Sequence, residues 1–123
     1  MRPRVPAWEN VIEMERWISP EGRLELPGED RAQVQSVALQ MTIAEAEVYT
    51  SLRTPEGTAA LVREVHRRVR EGGKRYSSTL ADVRDLQEAG DADGARKVLA
   101  EYIASEPIPR YREWAETELK ELE

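Results

Sequence analysis

The chain has no cysteine, no phenylalanine and one histidine, His66. Without cysteine there is no disulfide framework, no thiol nucleophile and no thiolate cage for zinc. One histidine with no second imidazole cannot share a metal in the usual histidine-rich sites. Aromatic residues make up only 6% of the chain. No apolar run approaches the roughly 18 residues that a membrane-spanning helix needs. Gly72-Gly73-Lys74 lacks both the Walker spacing and a preceding strand, so no phosphate loop is expected. Met1-Arg2-Pro3-Arg4-Val5-Pro6 is basic but leads into no apolar stretch, so no signal peptide is expected. These absences predict a cytoplasmic protein with no membrane association, no metal and no cofactor.

What is present bounds the architecture. The chain has 123 residues, 40% of them hydrophobic and 34% charged, with a net charge of −6. That length supports a single domain, residues 1–123, around one modest core. The apolar content is too high for a disordered chain. The charge is unevenly placed. Residues 62–75 hold six cations and two carboxylates, a local +4, whereas residues 101–123 sum to −4. Arginine outnumbers lysine 15 to 3, a composition typical of a GC-rich genome.

Apolar residues recur at helical rather than alternating spacing, which predicts an all-α fold. The first helix is expected over Ala7 to Ile18, with Trp8, Val11, Met14 and Ile18 on one face. A turn at Ser19-Pro20-Glu21-Gly22 and a short extended link through Leu24 and Leu26 follow. A second helix is expected from about Glu29 to Met41 on Val34, Val37, Ala38 and Met41. Thr42-Ile43-Ala44-Glu45 has the form of a capping box for a short third helix bearing Val48, Tyr49 and Leu52. Residues 1–53 thus read as short helices, and 54–123 as longer ones.

Thr54-Pro55-Glu56 is a strong helix start: a capping hydroxyl, a proline where no donor is needed, and an acid that suits the helix dipole. Leu61, Val62, Val65 and Val69 should face inward. Gly72-Gly73 is expected to end this helix, because two interior glycines cost roughly 2 kcal/mol relative to alanine. The alternative is one long helix, since Val62, Val69, Tyr76 and Val83 repeat every seven residues. A fifth helix on Tyr76, Leu80, Val83 and Leu86 would then stop at Ala89-Gly90. A sixth, capped by Asp91 and expected from about Ala92 to Ser105, carries Ala95, Val98, Leu99, Tyr102 and Ile103. The last follows Pro107-Ile108-Pro109 and buries Tyr111, Ala115, Leu119 and Leu122, with Trp114 at the edge of that face. The expected core centres on Leu61, Val65, Val69, Leu80, Val83, Leu86, Leu99 and Tyr102.

Gly90, Ala95, Leu99, Tyr102 and Pro107 follow the spacing of the second half of a tetratricopeptide (TPR) repeat. Thr79 and Asp82 depart from that pattern, and only one such unit is visible. The expectation is a compact multi-helix array with a TPR-like αα-hairpin at about residues 75–107 and a C-terminal capping helix.

Sites of chemistry are mostly excluded. Four arginines lie within four residues of His66, which disfavours its cation, and no partner for a mechanism is visible nearby. Asp91-Ala92-Asp93-Gly94 fails as a calcium loop, because the twelfth position would be Ala100. Arg63, Arg67, Arg70 and Lys74 are spaced 4, 3 and 4 along one helix face. They are the candidate partner-binding residues. Such a face suits an acidic partner, or simple solvation, ahead of phosphates, because no aromatics interleave with it.

Several further stretches bear a resemblance to a known family. They are Trp8-Glu9, Leu24-Glu25-Leu26, Thr54-Pro55-Glu56-Gly57, Ala60-Leu61-Val62-Arg63-Glu64 and Arg67-Arg68-Val69-Arg70-Glu71-Gly72. Ala89-Gly90-Asp91-Ala92-Asp93-Gly94-Ala95-Arg96 and Pro109-Arg110-Tyr111-Arg112-Glu113-Trp114-Ala115-Glu116 continue the series. Together the chain resembles the DUSAM-domain proteins, a set of myxobacterial paralogues without an established function. The resemblance implies a GC-rich myxobacterial source and no catalytic residues to transfer.

The function expected from these features is a non-enzymatic helical protein-interaction module, an adaptor or regulator. Its partner would be another protein, acidic or a second copy of the chain in a homodimer. Two alternatives stand beside it: an immunity or antitoxin-like neutralising protein, and a nucleic-acid binder using the basic 63–75 face.

Overall fold

The computed structural model describes residues 7–122. Among them are six α-helices, one 3-10 turn and no strand, so the fold is all-α. The helices are α1 (Ala7–Met14), α2 (Gly28–Gln40), α3 (Glu45–Ser51), α4 (Pro55–Glu88), α5 (Ala92–Ser105) and α6 (Pro109–Glu121); the 3-10 turn covers Glu15–Trp17. The chain forms two compact units, Met1–Val69 and Arg70–Glu123, and α4 contributes residues to each.

In the first unit α1 packs on α2, and α2 on α3. Trp8, Val11 and Met14 of α1 are buried, as are Val34, Val37 and Ala38 of α2. Leu61, Val62 and Val65 complete this core from α4. Each valine, leucine or methionine among them contributes about 1.5–3 kcal/mol when fully removed from water. The Trp8 indole donates to Gln40 Oε1 at 2.6 Å. Helix α1 is shorter than its apolar spacing suggests. Pro20 excludes helical backbone at Ser19, and the chain tightens into the 3-10 turn, leaving Trp17 half exposed. The link that follows is tied to the start of α4 by Leu24 N–H to the Pro55 carbonyl at 3.0 Å.

The Thr42–Glu45 capping box does not form. Thr42 instead takes a left-handed conformation (φ 65°) and closes α2. Its N–H donates to the Leu39 carbonyl, and Ile43 N–H donates to Ala38. That is the Schellman arrangement, in which a left-handed residue lets the last carbonyls find donors. Ala44 therefore caps α3 without a side-chain bond. Tyr49, expected inward, is 56% exposed. With only seven residues in α3, Val48 and Leu52 fill the inner face and Tyr49 falls outside it.

Helix α4 starts as expected, with Thr54 Oγ1 accepting from Gly57 N–H at 2.9 Å. The expected break at Gly72-Gly73 is absent, and α4 runs unbroken for 34 residues. The reason lies in the second unit. A Cβ on Gly72 would sit 2.5 Å from Tyr111 Cε2 and 3.1 Å from Ile108 Cδ1. Glycine is needed there for close approach of α6, not to end a helix. The left-handed glycine that does end α4 is Gly90 (φ 78°), where Gly90 and Asp91 N–H groups reach Gln87 and Leu86 in a second Schellman closure.

The second unit is built from residues 70–88 of α4 with α5 and α6. Asp91 caps α5 as expected, accepting from Gly94 N–H at 2.8 Å. Helices α5 and α6 pack together, burying Ala95, Leu99, Tyr102, Tyr111 and Ala115. Val83 is buried from α4, whereas Leu80 and Leu86, three residues to either side, are half-buried at the edge of its stripe. Val69, at the end of the first unit, is likewise half-buried rather than central. Leu119 and Leu122 are also half-buried, and Trp114 lies at the margin, 46% exposed.

Candidate functional site

The four basic candidates fall into the two units. Arg63 and Arg67 belong to the first, Arg70 and Lys74 to the second. All four are exposed, but they are not equivalent. Arg67 Nε donates to Glu64 Oε2 at 3.0 Å, one helical turn back. Arg68, outside the predicted stripe, donates to the same carboxylate at 2.9 Å and to the Met41 carbonyl at 2.9 Å. The Arg67 hydrogen bond, opposed by partial burial and aided by Arg68, lowers the Glu64 carboxyl to about 2. Glu64 thus absorbs part of the positive field on this face. Arg63, Arg70 and Lys74 make no ion pair among the described residues.

His66 is held by a residue that sequence reasoning did not single out. Its Nδ1 contacts the Glu15 carboxylate, 51 residues earlier in the chain. Helical periodicity gives no signal for such a pairing, because it arises only when the 3-10 turn packs beside α4.

The second unit contains a buried carboxylate that no local pattern in the chain singles out. Glu106 is 3% exposed in the loop between α5 and α6. Arg75 grips it from α4 with two hydrogen bonds, at 2.9 and 3.0 Å. Ile108 N–H donates to it at 3.1 Å. This is the first backbone donor after Pro107, which has none. Burial alone would raise the Glu106 carboxyl, but the Arg75 and Ile108 donors outweigh it and hold it below the usual range. The buried Tyr102 hydroxyl has no hydrogen-bond partner among the described residues, and it lies near enough to Glu106 to feel its charge. Burial first, then this carboxylate, pushes the phenol up.

Around this anchor sits an aromatic cluster. The Tyr76 ring is 6.1 Å from Tyr102, 6.0 Å from Tyr111 and 5.7 Å from Trp114. Tyr111 and Trp114 meet edge-to-face at 5.4 Å, the arrangement that ring quadrupoles favour. Tyr102 and Tyr111 are buried, Tyr76 is half-buried and Trp114 emerges to solvent.

Two depressions mark the first unit. One, of about 390 Å³, is open and lined by Trp17, Ser19, Glu21, Arg23 and Glu25. Its arginine is already paired with Glu56 at 2.7 Å. The other, of about 100 Å³, lies by Leu24, Arg31, Leu52 and Thr58. The first is lined by one hydroxyl and two carboxylates and the second by Glu25, Thr54 and Thr58, with no histidine in either. Among the described residues no three histidine, aspartate or glutamate side chains gather as a metal site, and no helix is long and apolar enough to cross a membrane.

No curated protein and no solved structure matches the chain. Its residues 6–122 match the family described as "Protein of unknown function (DUF2379)", and the chain belongs to that family.

Proposed function

We propose that the chain is a non-enzymatic helical interaction module, an adaptor or regulator that works by binding another protein. The observation that carries this reading is the Tyr76–Trp114 surface. A large ring is left 46% exposed and is held in place by two tyrosines. Tryptophan and tyrosine dominate binding surfaces because each offers a wide contact area with few rotors to freeze. Groups that elsewhere perform chemistry are tied into the scaffold here: His66 to Glu15 and Glu106 to Arg75. Exposed Arg63 in the first unit, and exposed Arg70 and Lys74 in the second, each offer positive charge to an acidic segment of a partner protein.

In this reading the α4–α5 turn is a TPR-like hairpin capped by α6, and the protein acts in the cytoplasm. The Trp8-Glu9 and Thr54-Pro55-Glu56-Gly57 stretches support placing it with the myxobacterial DUSAM-domain proteins. The test is affinity purification of the tagged chain from its own host after cross-linking, quantified by mass spectrometry. One protein recovered near stoichiometry is expected. Recovery of none overturns the reading.

A further inference from the structure

We infer that the outer stripe of α6, formed by Trp114, Glu118 and Glu121 with Tyr76 beside it, is a docking site for a cationic segment of a partner protein. An arginine or lysine side chain would lie on the Trp114 ring with its charge toward the two carboxylates. This rests on the interaction reading above and adds to it the surface and the chemistry of the partner.

Position makes the first argument. Residues 114, 118 and 121 are spaced 4 and 3, so they share one stripe of α6. Trp114 is 46% exposed, Glu118 half-buried and Glu121 exposed. Both carboxylates also lie on the Tyr76 side of the helix. Burial raises the Tyr76 phenol, and the charges of Glu118 and Glu121 add to the effect while Arg84 opposes it. The ring pair and the acids therefore face the same space.

Charge makes the second argument. Glu118 and Glu121 make no ion pair among the described residues. Among the described residues, Arg84 opposes the charges of two carboxylates at Tyr76. Arg110, one turn before Trp114, is already engaged within the chain. The acids also sit at the wrong end of their helix. The last turn of α6 presents the negative end of the helix dipole, where carboxylates are unfavourable and cations favourable. Lys120 is the only basic residue of that turn; Arg96, itself paired with Asp93, bonds the Leu122 carbonyl at 3.2 Å but makes no ion pair with Glu118 or Glu121. A negative potential kept at such a helix end raises the energy of the free protein, and a bound cation relieves it. Arginine and lysine are also the side chains that an exposed indole face attracts. An anionic lipid surface or a nucleic acid would be repelled from this stripe.

The test is selection of random nine-residue peptides displayed on phage against the full chain, followed by fluorescence anisotropy of the best synthetic peptide. Enriched peptides are expected to carry arginine or lysine and to bind more weakly as salt is added. Trp114→Ala should weaken binding roughly tenfold. The double variant Glu118→Gln/Glu121→Gln should weaken it roughly fivefold and flatten the salt dependence. The same double variant should melt at the wild-type temperature or above, since it removes charges that oppose the dipole. A merely structural role for the acids gives the opposite sign. Three results overturn the proposal: no enrichment, enrichment of acidic or uncharged peptides, or equal binding by both variants. A stoichiometric partner recovered equally well by Trp114→Ala sinks this surface and leaves the interaction reading standing.

Discussion

Gly72 and Gly73 are adjacent in one helix, yet replacing each by alanine should change stability in opposite directions. Alanine is favoured over glycine in a helix interior by about 1 kcal/mol, and both positions lie inside α4. For Gly73→Ala that gain is nearly unopposed. Its Cβ would meet only the Tyr111 hydroxyl, at 3.7 Å, an ordinary contact. For Gly72→Ala the new methyl would stand 2.5 Å from Tyr111 Cε2, so the ring must move. Tyr111 is 4% exposed and is packed against Tyr76 and Trp114, so the displacement spreads through the cluster. Overpacking of this kind costs roughly 1–3 kcal/mol. Set against the helix gain, Gly72→Ala should be destabilised by about 1 kcal/mol and lie about 2 kcal/mol below Gly73→Ala. Urea unfolding followed by circular dichroism measures both. A second arm uses Tyr111→Leu, which removes the ring edge. In that background Gly72→Ala should lose most of its penalty, because contacting residues do not add independently. If Gly72→Ala proves as stable as Gly73→Ala, α6 does not press on α4 at Gly72 and the reason given for the unbroken helix is wrong.

Leu99→Ala should cost roughly 2–5 kcal/mol, because Leu99 is fully buried between helices; a thermal melt within 1 °C of wild type contradicts the packing described. Glu64 and Glu106 both have carboxyls depressed in the folded state, so their stabilisation is complete above the ordinary value of 4.5 and is lost as pH falls below it, for Glu64 as pH approaches about 2. Unfolding at a series of pH values should show that loss, with a shallower acid slope in Glu106→Gln; an unchanged slope removes Glu106 from the account. Thr42→Gly should stabilise by about 1 kcal/mol, since a β-branched residue there holds a left-handed backbone; a destabilised variant in urea would show that the Thr42 hydroxyl outweighs the strain. Arg68→Ala should cost roughly 1–2 kcal/mol and Arg70→Ala less than 0.5 kcal/mol, and equal losses would refute the distinction drawn between those two arginines.

Features that depend on neighbours within a turn or two were legible in the sequence. The Thr54 and Asp91 caps each engage the N–H three residues on. Spacing alone marks the buried Trp8, Val11 and Met14 of α1, Val34, Val37 and Ala38 of α2, Ala95, Leu99 and Tyr102 of α5, and Tyr111 and Ala115 of α6. What stayed hidden depends on residues far apart in the chain. Gly72 reads as a stop until Tyr111, 39 positions later, is placed against it. Glu106 reads as a surface residue until Arg75, 31 positions earlier, closes on it. Thr42-Ile43-Ala44-Glu45 satisfies the local rule for a capping box yet forms none, because ending α2 and starting α3 compete for the same threonine. Its N–H and that of Ile43 close α2 with two backbone bonds, whereas a capping box would have supplied bonds that water can replace at the exposed start of α3. The basic stripe was legible as a set of positions but not as a set of roles.

Those roles reveal a pattern in how the arginines are used. Four helices end at the cap residues Met41, Leu52, Glu106 and Leu122. Each of these four carbonyls accepts from an arginine: Arg68 at 2.9 Å, Arg31 at 2.8 Å, Arg112 at 3.2 Å and Arg96 at 3.2 Å. A helix end presents unsatisfied carbonyls and half a negative charge. Guanidinium suits that end better than ammonium does, because its planar fork can hold a carbonyl with one edge and a carboxylate with another. Arg68 does so with Met41 and Glu64, and Arg96 with Leu122 and Asp93. The excess of arginine over lysine therefore has a structural use in this chain, whatever its compositional origin. It also divides the positive charge in two. Arginines that close helix ends are committed to the fold, and replacing them changes stability. Arg63, Arg70 and Lys74 are uncommitted among the described residues, and replacing them should alter binding while leaving the fold intact. The net charge of −6 counts committed and uncommitted arginines alike, so it does not report which charges a partner can engage.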